Sequence, residues 1–87
     1  MKQYPRAENR MMPAQFSKAL DDLSLSMREF CRITGTNVKT AERWLEDEKD
    51  IPQWVPVTLA LMTMPGALPM ARKVAQHFSA EGKGNAN

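Results

Sequence analysis

The sequence predicts an all-α fold, a compact four- to five-helix bundle containing a helix-turn-helix, on three observations. Apolar side chains recur at intervals of three and four residues in successive segments, the spacing that gathers them on one face of a helix. Helix start and stop signals punctuate those segments: Pro13, the Ser26–Glu29 pair, Gly35, Asn37 and Met64-Pro65-Gly66. No segment reads convincingly as a strand, and none repeats another.

The first helix runs from about Pro13, which suits an opening turn whose N–H groups lack partners, to Leu23. Phe16, Ala19, Leu20 and Leu23 are its buried stripe. The second follows Ser26, which forms a capping box with Glu29, each side chain satisfying a free backbone N–H. Phe30 and Ile33 are its apolar pair, and Gly35 ends it because the chain must turn there through φ > 0. Asn37 caps a third helix with Ala41, Trp44 and Leu45 on one face and Lys39, Thr40, Glu42 and Arg43 on the other. Glu46 to Pro52 is a polar connection, closed by Ile51-Pro52, which opposes helical backbone. A fourth helix starts near Gln53 or Trp54, with Pro56 in its opening turn. Trp54, Val55, Val57, Leu59, Leu61 and Met62 make it apolar nearly all round, which puts it either at the centre of the core or in a subunit contact. Beyond the Met64–Gly66 break, Leu68, Ala71, Val74, Ala75 and Phe78 define a fifth helix, with Arg72, Lys73 and Gln76 facing out. The expected organisation is a flexible basic arm over 1–11 (Lys2, Arg6, Arg10), one helical domain over 12–80 and a disordered tail over 81–87. Met11-Met12 also reads as an alternative translation start.

Eighty-seven residues make one small domain, and 43% hydrophobic content argues against wholesale disorder. No apolar run approaches the roughly 20 residues that span a bilayer, and the N-terminus lacks a signal-peptide core, so a cytoplasmic protein without a membrane partner is expected. Cys31, the only cysteine, excludes an internal disulfide and a cysteine metal cluster, and reads as a small buried side chain at a close helix contact. His77, the only histidine, reads as a surface or packed residue. No serine–histidine–acid set, glycine-rich phosphate loop or catalytic carboxylate pair is visible, so no enzyme, metal, cofactor or small-molecule ligand is expected.

The net charge of +2 is too small to imply a nucleic-acid partner, but its distribution carries information. Arg28, Arg32, Lys39 and Arg43 face only Glu29 and Glu42 between Ser26 and Arg43, whereas Glu46, Asp47, Glu48 and Asp50 face only Lys49 in the connection that follows. A cationic motif backed by an acidic loop orients one face towards phosphate; the same pattern also fits a mixed solvated surface.

Met12 to about Met62 resembles the Cro/repressor-like helix-turn-helix family, the xenobiotic-response-element type. Three features carry the resemblance: Cys31 four residues before the turn Gly35, with Ala41 and Trp44 six and nine after it; a third helix ending in Arg43-Trp44-Leu45 and an acidic loop; and the entry Ile51-Pro52-Gln53-Trp54-Val55 to helix four. Thr34 and Thr36 stand where the family more often has leucine and valine, which should loosen the turn, and Ala41 is usually bulkier, leaving space for Trp44.

The resemblance implies sequence-specific binding of double-stranded DNA, commonly as a homodimer on an inverted-repeat operator. The chain is similar in size and plan to small regulators of mobile genetic elements, such as QseC-type and anti-CRISPR-associated repressors. Helix three would then enter the major groove, with Asn37, Val38, Lys39, Thr40 and Arg43 nearest base edges or flanking phosphates. Arg43 can donate two bonds to guanine, Lys39 can reach the same acceptors or a phosphate, and Val38 or the Thr40 methyl can meet a thymine methyl. Glu42 either accepts from cytosine or orients Arg43. Ser26, Met27 and Arg28 would clamp the phosphate backbone, and Arg32 either joins them or pairs with Glu29. Trp44 belongs to the core, while Trp54, Leu68, Val74 and Phe78 are the expected dimer surface. The alternative is a protein-interaction module of the same fold, an antiactivator that masks another regulator.

Overall fold

Three buried aromatic rings from three helices meet in the core, and a fourth, the exposed Trp54, packs on them from the surface. The computed structural model describes residues 10–78, which form α1 (Pro13–Asp22), α2 (Met27–Thr34), α3 (Val38–Leu45), α4 (Trp54–Leu61) and α5 (Ala67–His77). Among the described residues there is no strand, as the three- and four-residue spacing predicts. Phe16 of α1 lies edge-on to Phe30 of α2 and Trp44 of α3, with ring centres 5.5 and 5.7 Å apart. Trp54 of α4 closes the circuit, stacked 6.2 Å from Phe30 and edge-on 6.1 Å from Trp44. Such edge and offset geometries add about 0.5–1.5 kcal/mol per pair beyond area burial, so the four rings tie the four helices together cooperatively. Leu20, Leu25, Cys31, Ala41, Ile51, Val55, Leu59 and Met62 complete the core, and no described polar or charged side chain is buried with them.

Local chemistry sets the helix ends. The Met12 N–H donates to Gln15 Oε1 at 2.7 Å ahead of Pro13. Ser26 Oγ accepts from the Glu29 N–H at 3.0 Å, and Asn37 Oδ1 accepts from the Lys39 N–H at 2.8 Å. Only this half of the expected capping box forms, because the Glu29 carboxylate is bonded to Arg72 instead. Pro56 and Pro69 both sit in the first turn of their helices, where a missing N–H breaks no intrahelical bond.

Gly35 closes α2 with φ +77°, and its N–H donates to the Cys31 carbonyl at 2.8 Å. The flanking threonines tighten this turn, contrary to the loosening expected of them. Thr34 Oγ1 donates to the Phe30 carbonyl at 2.9 Å and lies 2.7 Å from Thr36 Oγ1, so Thr36 supplies the proton between the two hydroxyls. A Cβ on Gly35 would meet nothing within 4 Å, leaving backbone strain as the only penalty of a side chain. Gly35→Ala is therefore expected to lower the unfolding free energy by about 1–2 kcal/mol in a urea titration. An unchanged midpoint would mean that the turn does not require the left-handed conformation.

Two residues assigned to the basic arm are part of the folded body. Met11 packs against the core. Arg10 places its guanidinium 3.3 Å from Asp47 and 3.1 Å from Asp50, drawn to the acidic connection after α3. Arg10 and Met11 thus belong to the folded body; Lys2 and Arg6, with the rest of the arm expected over 1–11, lie outside the described residues, as does the tail expected over 81–87.

α5 is the least embedded element. None of its residues is buried, although Leu68 and Ala71 pack against the core. It packs against α2: Arg72 meets Glu29 in the first turn of α2, and Val74, Ala75 and Phe78 share a cleft with Arg32 to Gly35. Arg72, expected to face out, is half-buried by this contact.

Candidate nucleic-acid interface

The helix-turn-helix presents its cations in two pairs. Arg28 and Arg32 on α2, and Lys39 and Arg43 on α3, are all exposed and in each case four residues apart. That spacing puts each pair on one stripe of its helix. Phe30 and Ala41, each two residues beyond the first cation of its helix, point the opposite way and are fully buried. Cations and core therefore occupy opposite sides of both helices.

Those four side chains have no ion-pair partner among the described residues, whereas Arg10, Lys18 and Arg72 do. Lys49 and Lys73 are also unpaired, but each stands alone on another element. The two carboxylates of the motif account for the difference. Glu29 is held by Arg72 through Nε at 2.7 Å and Nη2 at 3.3 Å, and it makes no pair with Arg32. The Arg72 hydrogen bond holds the Glu29 carboxyl below its ordinary value against the opposing effect of desolvation, with the charges of Arg72 and Arg32 adding to the shift. Glu42 pairs with no cation among the described residues, Arg43 included.

The remaining residues expected at the interface fall into two groups. Asn37 is exposed, but its side-chain oxygen caps α3, which leaves its amide nitrogen as the group able to reach outward. Thr40 is half-buried, and Val38 packs against the core, as does Met27 on α2. The N–H groups of Met27 and Arg28 precede the first backbone hydrogen bond of α2, from Phe30 to the Ser26 carbonyl at 2.9 Å, and remain free to donate. Ser26 Oγ is exposed beside them while accepting from Glu29.

A second surface is apolar. Trp54, Val57, Leu61 and Met64 recur at helical spacing along α4 and its exit, and Met70, Val74 and Phe78 along α5; all are exposed, Phe78 to 75%. Trp54 and Val74 line one open groove of about 440 Å³ with Ile33, Thr58 and Met62, and Phe78 lines the adjoining cleft. Val57, Leu61, Met64 and Met70 are absent from the expected dimer surface, although their spacing relative to the core-facing Val55, Leu59 and Met62 carries the signal. Leu68, included in that surface, is half-buried against the core.

Cys31 is buried in the core, and burial pushes its thiol up, with the charge of Glu42 adding to the shift, the environment of a packing residue. Among the described residues no cluster of histidine, cysteine, aspartate or glutamate is placed to hold a metal ion, and no helix is long and apolar enough to cross a membrane. No protein-family model, curated protein or solved structure matches this chain at a significant level.

Proposed function

We propose that this protein is a sequence-specific DNA-binding transcriptional regulator, a cytoplasmic repressor or autoregulator that binds an inverted-repeat operator as a homodimer. The single observation that carries the reading is the set of four cations, Arg28, Arg32, Lys39 and Arg43, unpaired among the described residues and set on the outward sides of the two helices of a helix-turn-helix. Surface cations in a structural role commonly find carboxylates; a phosphate-binding surface keeps them free to release counterions on binding. Helix α3 supplies Lys39 and Arg43 to the major groove, while the free N–H groups and Arg28 at the start of α2 hold the backbone. The resemblance to Cro/repressor-like regulators of mobile elements supports the same reading. The exposed apolar stripes of α4 and α5 suit a two-fold partner, and they are also the feature that a masking antiactivator would use.

The direct test is binding to the DNA upstream of the protein's own gene, followed by footprinting, which should reveal two protected half-sites in inverted repeat about 10 base pairs apart. Protection of no segment, with equal affinity for every duplex, would contradict sequence-specific regulation. Arg28→Ala is expected to weaken all duplexes about equally and to reduce the salt slope by about one for each protomer bound. An unchanged slope would remove Arg28 from the backbone contact.

A further inference from the structure

Glu29 is the only acidic residue on α2, and it is three residues from Arg32, the spacing at which side chains of one helix meet. Left alone, the Glu29 carboxylate has two partners in reach on its own helix, the Arg32 guanidinium and the Ser26 N–H. The structure instead spends Glu29 on Arg72, which reaches across from α5 with a two-point bond at 2.7 and 3.3 Å. Both side chains remain about a third or more exposed, at 32% and 42%, so the bridge contributes little to stability through its own charge energy. Its larger consequence is the arrangement of charge on α2.

We infer that Arg72 is a positioning residue for the DNA-facing side of α2: by holding Glu29, it keeps Arg32 out of an intrahelical ion pair and cancels the one negative charge on that helix. The inference rests on the DNA-binding reading above and adds to it a residue outside the helix-turn-helix. It also ties α5, which carries Val74 and Phe78, to the phosphate-contacting helix through a single polar contact.

A charge cycle tests it on the full chain: wild type, Arg72→Gln, Glu29→Gln and the double variant, each titrated against a short random-sequence duplex at several salt concentrations. Arg72→Gln should weaken binding roughly three- to tenfold and flatten the salt slope by about one per protomer, the signature of one masked phosphate contact. Glu29→Gln/Arg72→Gln should return to within about twofold of wild type with the slope restored, because no carboxylate remains to capture Arg32. A double variant as weak as Arg72→Gln would overturn the inference, since that is the result if Arg72 only packs α5 or itself touches phosphate. Should Arg72→Gln fail to fold, Arg72→Met keeps the aliphatic stem and serves in the same cycle. A wild-type protein without salt-dependent duplex binding would overturn the DNA reading and this inference together; wild-type binding without rescue overturns this inference alone.

Discussion

Replacing Phe78 by glutamate is expected to convert the proposed homodimer to a monomer and to reduce affinity for the proposed operator more than the loss of any single phosphate contact. Phe78 is 75% exposed, so a charge there leaves the core of the protomer untouched. Among the described residues its close aromatic neighbour is His77, edge-on at 4.5 Å. Burying one phenyl ring contributes about 1.5–3 kcal/mol, and a two-fold axis uses each interface residue twice. Dimerisation should therefore weaken by about 3–6 kcal/mol, before any repulsion between the two introduced carboxylates. The effect on DNA follows from information content: a single recognition helix contacts a few base pairs, and each correct pair is worth about 1–3 kcal/mol, so losing half the contacts removes most of the specificity. Light scattering and an operator titration on the same samples check both halves. A wild-type protein that is monomeric at micromolar concentration, and remains one per site on DNA, would show that the apolar stripes serve something other than pairing.

Arg43→Ala should have the next largest effect, weakening specific binding by about 1–3 kcal/mol and relaxing preference at one base pair in each half-site. Arg43 is exposed in the last turn of α3, without an ion-pair partner among the described residues and on the same stripe as Lys39. A guanidinium so placed can offer two parallel N–H donors to the O6 and N7 of guanine, a pattern that no other base pair presents in the major groove. Removing it should leave binding to non-specific duplex much less affected. Equal losses on every sequence, with base preference retained, would assign Arg43 to a phosphate instead.

The helices are legible in the sequence because their ends carry their own chemistry. The Ser26 and Asn37 side chains bond backbone N–H groups within three residues and so mark where α2 and α3 begin, while Gly35, free of a Cβ, takes the left-handed turn that ends α2. The core stripe of α3 is equally local: Ala41 and Trp44 are three apart, and both are buried. What a helical wheel misreads is decided at long range. It places Arg72 outward on α5, and only the docking of α5 against α2 brings it to Glu29, 43 residues away. Arg10 is misassigned for the same reason, since its carboxylate partners Asp47 and Asp50 lie beyond three helices. The threonines beside Gly35 fail differently: judged by apolar bulk they loosen the turn, but their hydroxyls bond each other and a backbone carbonyl. On the candidate site, the four cations are named by sequence, whereas the freedom of Arg32 from a pair with Glu29 depends on the tertiary contact that occupies that carboxylate.

The most direct test of the central claim is the salt dependence of duplex binding by the wild-type protein. A surface whose unpaired Arg28, Arg32, Lys39 and Arg43 meet phosphates and bases must release condensed counterions when it binds. With at least two phosphates neutralised by each protomer of a dimer, log K should fall against log salt with a slope of about −3.6 or steeper. A flat line, or no duplex binding at low salt by the folded protein, would contradict a DNA-binding function and leave the apolar face of α4 and α5 as the working surface.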